Sequence, residues 1–248
     1  MRLLKGVLAG TVGLAMAALV SGCATTGAAN PEDPYENFNR QMYAFNDGFD
    51  KAVFQPAAEG YRAVTNKPVR QGVSNFIDNL GEPVTFANEV LQGKIPNAAS
   101  TVGRFVINTT IGIAGIFTPA QAMGIERTDE DFGQTLGVWG VGSGPYLVLP
   151  FLGSTSPRDL VGLGADLAID PINHAEFKND NETRVGIAVV GAISDREEAI
   201  ETVNDVRTQV DPYTVVRRFY VRSRATAIGG SAPQPNNTEK VPDSELDF

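Results

Sequence analysis

The stretch Asp131–Asp159, DFGQTLGVWGVGSGPYLVLPFLGSTSPRD, decides how the rest of this chain is read. Between Asp131 and Arg158 lie 26 residues without a charge, enough to cross a bilayer as a helix. Six glycines (Gly133, Gly137, Gly140, Gly142, Gly144, Gly153) and three prolines (Pro145, Pro150, Pro157) break any regular ladder of backbone bonds. Lipid cannot satisfy the free N–H and C=O groups of such a backbone. At membrane depth it must therefore be buried in protein or line a water-filled cavity. An ordinary buried loop of a soluble domain has the same composition, so the neighbouring segments decide.

The strongest local signal is upstream. Arg2 and Lys5 form a positive n-region, Gly6–Val20 is an uncharged apolar run, and Val20-Ser21-Gly22-Cys23 puts small residues directly before a cysteine. The run is too short for a span and ends in a processing site, so residues 1–22 read as a secretory signal peptide. The cleavage pattern resembles the lipobox of bacterial lipoproteins, in which the cysteine becomes the first mature residue and is acylated. Ala24 stands where an aspartate would mark inner-membrane retention, so the resemblance implies export to the outer membrane. Residues 23–34, small, polar and proline-bearing, are expected to be a flexible tether from lipidated Cys23.

Composition removes several classes of function. A net charge of −9 offers no basic field to phosphates, which argues against a nucleic-acid partner. With Cys23 the one cysteine and His174 the one histidine, neither an internal disulfide nor a Cys- or His-based metal site is expected. Asp131-Phe132-Gly133 matches a kinase triplet without the other kinase motifs, and Gly140–Gly144 lacks the Lys-Ser/Thr of a phosphate-binding loop. No Gly-x-Ser-x-Gly elbow occurs. No enzyme and no cofactor is expected.

The body, residues 35–224, reads at helical period almost throughout. Tyr35, Phe38, Met42, Phe45, Phe49 and Val53 share one helix face, with Asn39, Arg40, Asn46, Asp47 and Asp50 opposite, and Pro56 is expected to end the helix. An aromatic stripe of this kind is more often a core face. Behind a lipid anchor it also fits a helix lying in the membrane interface. Gly72–Leu91 repeats the pattern, and Gly81-Glu82-Pro83 is expected to split it into two half-helices.

Asn97 is a candidate N-cap for Ala98–Phe117, whose last 13 residues are uncharged. That is too short to span a bilayer, and a buried core helix and a membrane-lying helix both remain open. Leu160–Ile169 continues apolar, and Ser194 to Glu197 matches a capping box opening a helix with Ala199, Ile200, Val203, Val206 and Val210 inward. Asp211-Pro212 opens another helix, whose Arg217, Arg218, Arg222 and Arg224 suit its negative end. Residues 225–248 lose periodicity and are expected to be a disordered acidic tail. The expected fold class is all-α, built from interrupted amphipathic helices, with 137–149 the one place for a short hairpin.

Motifs in a fixed order then resemble the MlaA family of outer-membrane lipoproteins, also called VacJ. They are Asn39-Arg40-Gln41-Met42-Tyr43-Ala44-Phe45-Asn46; Ser74-Asn75-Phe76 through Asn79-Leu80 to Glu82-Pro83; Arg104-Phe105-Val106-Ile107-Asn108-Thr109 with Gly112 and Gly115; Phe132 to Gly137; Gly140 to Tyr146 with Leu149-Pro150; Arg158-Asp159; and Asp211-Pro212-Tyr213 with Arg217. They run from about 35 to 222.

The resemblance implies a ring-like bundle in the inner leaflet of the outer membrane, facing the periplasm, with an amphipathic channel through it. It implies removal of mislocalised phospholipid from the outer leaflet and its delivery to a soluble periplasmic carrier, beside a trimeric porin. Asn46, Asp47, Gly137, Gly140, Gly142, Gly144 and Tyr146 are the candidate channel-lining residues. The alternative is a structural, porin-associated lipoprotein without lipid transport. An outer-membrane lipid hydrolase is the weakest reading, since no nucleophile–base pair is visible.

Overall fold

The computed structural model describes residues 30, 32–176 and 180–229. The expected signal peptide, Cys23 and most of the tether and of the tail lie outside the described residues.

The chain is helical as expected. Helix α1 (Glu36–Phe49) runs through a π-helical turn (Asp50–Phe54) directly into α2 (Gln55–Val64). Pro56 therefore does not end the first helix. The wide turn, closed by the Gln55 N–H on the Asp50 carbonyl, shifts the bonding register just before the proline that cannot donate. Helix α3 (Lys67–Leu91) is capped by Asn66 and runs unbroken through Pro83, where two half-helices were expected. Its packing along α4 (Ile95–Thr110) keeps it helical through the missing bond. Lys94, not Asn97, precedes α4.

A turn then carries three left-handed residues, Ile113, Ala114 and Gly115, before the short α5 (Pro119–Ala122). Only a glycine fits at 115, because a Cβ there would lie 2.4 Å from the Asn79 Cβ.

Helix α6 (Phe132–Val138) is capped by the Asp131 carboxylate, which is what that residue does in the Asp-Phe-Gly triplet. A hairpin follows, β1 (Leu147–Leu149) pairing antiparallel with β2 (Gly153–Thr155), later in the chain than the 137–149 expected. Helices α7 (Pro157–Ile169), α8 (Pro171–His174), α9 (Asp180–Glu198), α10 (Ile200–Thr208) and α11 (Pro212–Ala227) complete the order.

Three local expectations are corrected. Ser194 and Glu197 sit inside α9 rather than opening a helix, because Glu197 is taken by Arg62 and Arg70. Val210 is 95% exposed, past the end of α10, not inward. The folded body starts earlier than 35: Asp33 is 1% exposed and accepts from the Asn39 amide and the Tyr213 hydroxyl. Asp211 caps α11 as expected, with Pro212 in its first turn.

Contacts close a circuit. Helix α2 packs on α9, α9 on α3, α3 on α6 and α6 on α7. Arg224 of α11 then bonds Asp131 and Asp159, the hairpin packs on α11, and it returns to α1.

The polarity of this circuit is inverted. Among the described residues, 19 polar or charged residues are buried against eight hydrophobic ones. Asn39, Asn88 and Glu89 are fully enclosed, whereas Phe45, Trp139, Phe151 and Phe219 are exposed by 46, 54, 66 and 69%. The Tyr35–Val53 stripe is thus only partly a core face: Met42 packs against the Tyr146, Val148 and Tyr213 cluster, whereas Tyr35, Phe45 and Val53 are exposed and Asn39 is the buried residue of α1. A chain surrounded by water would place these faces the other way round, and exposed apolar area on this scale marks a membrane or partner surface. No helix among the described residues is long and apolar enough to cross a membrane.

Candidate functional site

Helix α3 carries apolar and polar pairs in alternation, and the helical period sends the two sets to different sides. Pro68, Val69, Gly72, Val73, Phe76 and Ile77 face an open apolar cavity of about 840 Å³, whose other walls are Ile116 and Phe117 and Thr183, Gly186, Ile187 and Val190 of α9. Arg70, Gln71, Ser74, Asn75, Asp78, Asn79 and Glu82 face a polar cavity of about 900 Å³. Its other walls are α4 (Arg104, Asn108), the 118–127 segment and the C-terminal part of α9 (Ser194, Asp195, Glu197, Glu198). The same helix, the same turn and the same α9 thus border both spaces. The turn is pinned between them by the Asn75 amide, which donates to the Ile116 carbonyl at 3.1 Å.

Ten charged residues line the polar cavity, and they balance. Arg62, Lys67, Arg70, Arg104 and Arg127 oppose Asp78, Glu82, Asp195, Glu197 and Glu198. Arg104, 4% exposed, lies 3.1 Å from Glu82 and donates to the Ile125 carbonyl at 2.9 Å. Burial nonetheless pushes the Glu82 carboxyl above its usual range, outweighing the arginine. Arg127 pairs with Asp78 and Asp129, and Arg62 and Arg70 share Glu197 at 2.6 and 3.0 Å. No group of three or more metal-ligating side chains occurs among the described residues.

The residues singled out in the sequence gather elsewhere. Asn46 holds the hairpin, donating to the Leu149 carbonyl at 2.9 Å and accepting from the Phe151 N–H at 2.8 Å. Burial raises the Asp47 carboxyl, but bonds from Lys51 and Arg207 outweigh it and hold the group below its usual range. Tyr146 is 5% exposed and packs with Val148 and Tyr213, its hydroxyl 2.8 Å from Ser154. A Cβ on Gly137 would meet Ile228 and Arg158, and one on Gly144 would meet Pro157. Gly140 and Gly142 face open space.

None of these seven lines either of these two cavities, and α3 and α9 form a second candidate region beside them. The signal that could have found it is the pair alternation in Lys67–Glu82, of which the sequence reading used only the apolar half. The four late arginines are also partly reassigned: Arg217 is 5% exposed beside Asp33, and Arg224 clamps Asp131 and Asp159. Burial depresses the Arg224 charge, but its bonds to the two aspartates outweigh that and raise it above the usual range.

Comparison with known proteins identifies the family and the fold. The model of a family described as MlaA lipoprotein matches residues 31–227. The intermembrane phospholipid transport system lipoprotein MlaA of Shigella flexneri is 35% identical over 239 residues, covering 93% of this chain and 94% of that one. The protein of the same name in Haemophilus influenzae is 34% identical over 221 residues, covering 84% and 87%. An uncharacterized protein of Rickettsia prowazekii is 36% identical over 217 residues, 85% of each chain. A solved structure described as the structural basis for maintenance of bacterial outer membrane lipid asymmetry superposes with a TM-score of 0.70. It is 33% identical and covers 79% of this chain and 98% of that one.

Proposed function

This chain belongs to the MlaA lipoprotein family, and from that premise we propose that it is an outer-membrane lipoprotein that moves phospholipid between membranes and so maintains lipid asymmetry. The observation that carries the reading is the pair of cavities on α3, one apolar and one polar and charge-balanced, bordered by the same turn and by the same α9. A phospholipid has the same two halves. Its headgroup meets charges and hydrogen-bonding groups in the polar cavity, where hydrocarbon would cost it several kcal/mol. Its acyl chains stay against Phe76, Ile77, Ile187 and the exposed apolar exterior.

Nothing in this path needs covalent chemistry, and the reading is of a non-enzymatic conduit. The remaining parts belong to the same proposal: cleavage before Cys23, acylation of its thiol, residence in the inner leaflet on the periplasmic side, a trimeric porin as neighbour and a soluble periplasmic carrier as acceptor. A purely structural role beside a porin gives no reason for a polar cavity set against an apolar one.

A charge in the apolar cavity tests the reading. Phe76→Asp is expected to lower retrieval of outer-leaflet phospholipid by about tenfold or more, since an unpaired carboxylate in an apolar site is strongly disfavoured. Phe76→Leu should retain it, with helical circular dichroism unchanged in both. Retrieval at the wild-type rate in Phe76→Asp would remove the cavity from the path.

A further inference from the structure

Two breaks in otherwise continuous helices face each other. Helices α1 and α2 form one helical run, Glu36–Val64, interrupted by the π-helical turn Asp50–Phe54. Pro56 follows without an N–H, so the backbone ladder at this joint is a bond short. Helices α9 and α10 are a second run, parted at Ala199, whose φ of −82° and ψ of 4° lie in the sparsely populated bridge region.

One carboxylate stands across both breaks. Asp50, in the π-helical turn, accepts a two-point bond from Arg196 of α9 at 2.7 and 2.9 Å and another from Arg207 of α10 at 2.7 Å. The two arginines thus reach it from either side of Ala199. Arg207 is held besides by Asp47 of α1 at 2.7 Å and by Gln55 at 2.8 Å. Arg196 makes no other bond among the described residues, and its Nη1 is enclosed without a partner. Its hold on the turn therefore depends on Asp50.

Packing sorts the helices into two groups about these joints. Helix α2 packs on α9 and α9 on α3, whereas α1 packs on the hairpin, the hairpin on α11 and α11 on α10. Arg207 ties α10 to α1 within the second group. The Asp50–Arg196 pair and the Arg62–Glu201 pair cross from one group to the other.

We infer that the π-helical turn and Ala199 are a paired hinge, latched by Asp50 on Arg196, about which α1, the hairpin, α10 and α11 swing relative to α2, α9 and α3. Hinges are a few residues at element ends that absorb the change in backbone angles, and both joints are of that kind. Arg62 lines the polar cavity and bonds Glu197 of α9 and Glu201 of α10, each at 2.6 Å, across the Ala199 break. The swing therefore reshapes the rim of that cavity, whatever the cavity carries.

The test measures the distance between spin labels at Gln41 of α1 and Ala188 of α9, exposed positions on the two groups, in the full-length chain in detergent. Cys23→Ser leaves the two introduced cysteines as the sites of labelling. A swing of about 20° moves Gln41, about 16 Å along the helix from Ala52, by about 5 Å. The latched hinge is expected to give one narrow distribution. Asp50→Asn should add a second population displaced by that amount, because the Arg196 charge loses its partner. Deleting Ala52 together with Pro56→Ala closes the wide turn into an ordinary α-helix, and in the Asp50→Asn chain it should restore the single population. Far-ultraviolet circular dichroism identifies the folded variants, and Arg196→Gln releases the same latch from the α9 side if Asp50→Asn does not fold. A distribution unchanged by release of the latch, or a second population that survives straightening of the turn, overturns the hinge.

Discussion

Arg104→Ala is expected to destabilise the protein by about 3–5 kcal/mol, the usual cost of breaking a buried ion pair by removing one partner. Arg104 is 4% exposed and Glu82 3%, on facing turns of α4 and α3. With the guanidinium gone, the Glu82 carboxylate stays enclosed, and the Ile125 carbonyl loses one of the two bonds, with Ala120 N–H to Asn108, that tie the 118–127 segment to α4. The carboxyl, already raised by burial, would rise further and be driven towards its neutral form. Urea titration in detergent, followed by far-ultraviolet circular dichroism, measures the loss. Replacing both partners by apolar residues of similar size, Arg104→Met with Glu82→Leu, should return most of the stability, because no charge is then left buried. A loss under about 1 kcal/mol for the single alanine would show that the pair does not hold α3 to α4.

The second large effect is steric. A Cβ on Gly162 would stand 2.2 Å from the Gly133 backbone nitrogen and 2.6 Å from its Cα, so α6 and α7 touch main chain to main chain. Rotamers cannot relieve such a clash. Gly162→Leu must push the helices apart, and with them the bonds from the Phe132 N–H to Asp166 at 3.0 and 3.2 Å and the Arg224 clamp on Asp131 and Asp159. We expect a loss of at least about 3 kcal/mol, at the upper end of overpacking costs. Gly164→Ala, two residues along the same helix with open space around it, should stay within about 0.5 kcal/mol of wild type. Near-ultraviolet circular dichroism and thermal melting in detergent separate the two. A Gly162→Leu protein that melts like the wild type contradicts the contact.

These two sites differ in how legible they are from sequence. Arg104 stands out as the last charge before an apolar run, but nothing local links it to Glu82, 22 residues earlier. Gly162 reads as one small residue among several, and its partner Gly133 is joined to it only by the fold. Helical periodicity located the longer helices α1, α3, α4, α7, α9, α10 and α11, because the 3.6-residue pattern survives whatever surrounds the chain, but not α2 or the short α5, α6 and α8. The side that faces inward was not legible, because the usual rule presumes water outside. Phe45 and Phe49 of α1 read as core on that rule, yet Phe45 is 46% exposed while Asn39 is enclosed.

The π-helical turn before Pro56 and the unbroken passage of α3 through Pro83 escaped for a related reason. A proline signals a break locally, and packing decides whether the chain takes it. Long-range pairs such as Arg207 with Asp47 and Asp50 follow no spacing at all. The polar cavity was half visible: its α3 wall is the polar partner of an apolar stripe that the periodicity did identify, and its α9 wall is not.

The central claim is that this chain retrieves phospholipid from the outer membrane. Its most direct measurement is the phospholipid content of the outer leaflet in cells lacking the protein, complemented with either the wild type or Cys23→Ser. The account predicts accumulation of surface phospholipid without the protein, rescue by the wild type, and no rescue by the variant that cannot be acylated. Surface phospholipid unchanged by removal of the protein would contradict retrieval and leave the structural, porin-associated role in its place.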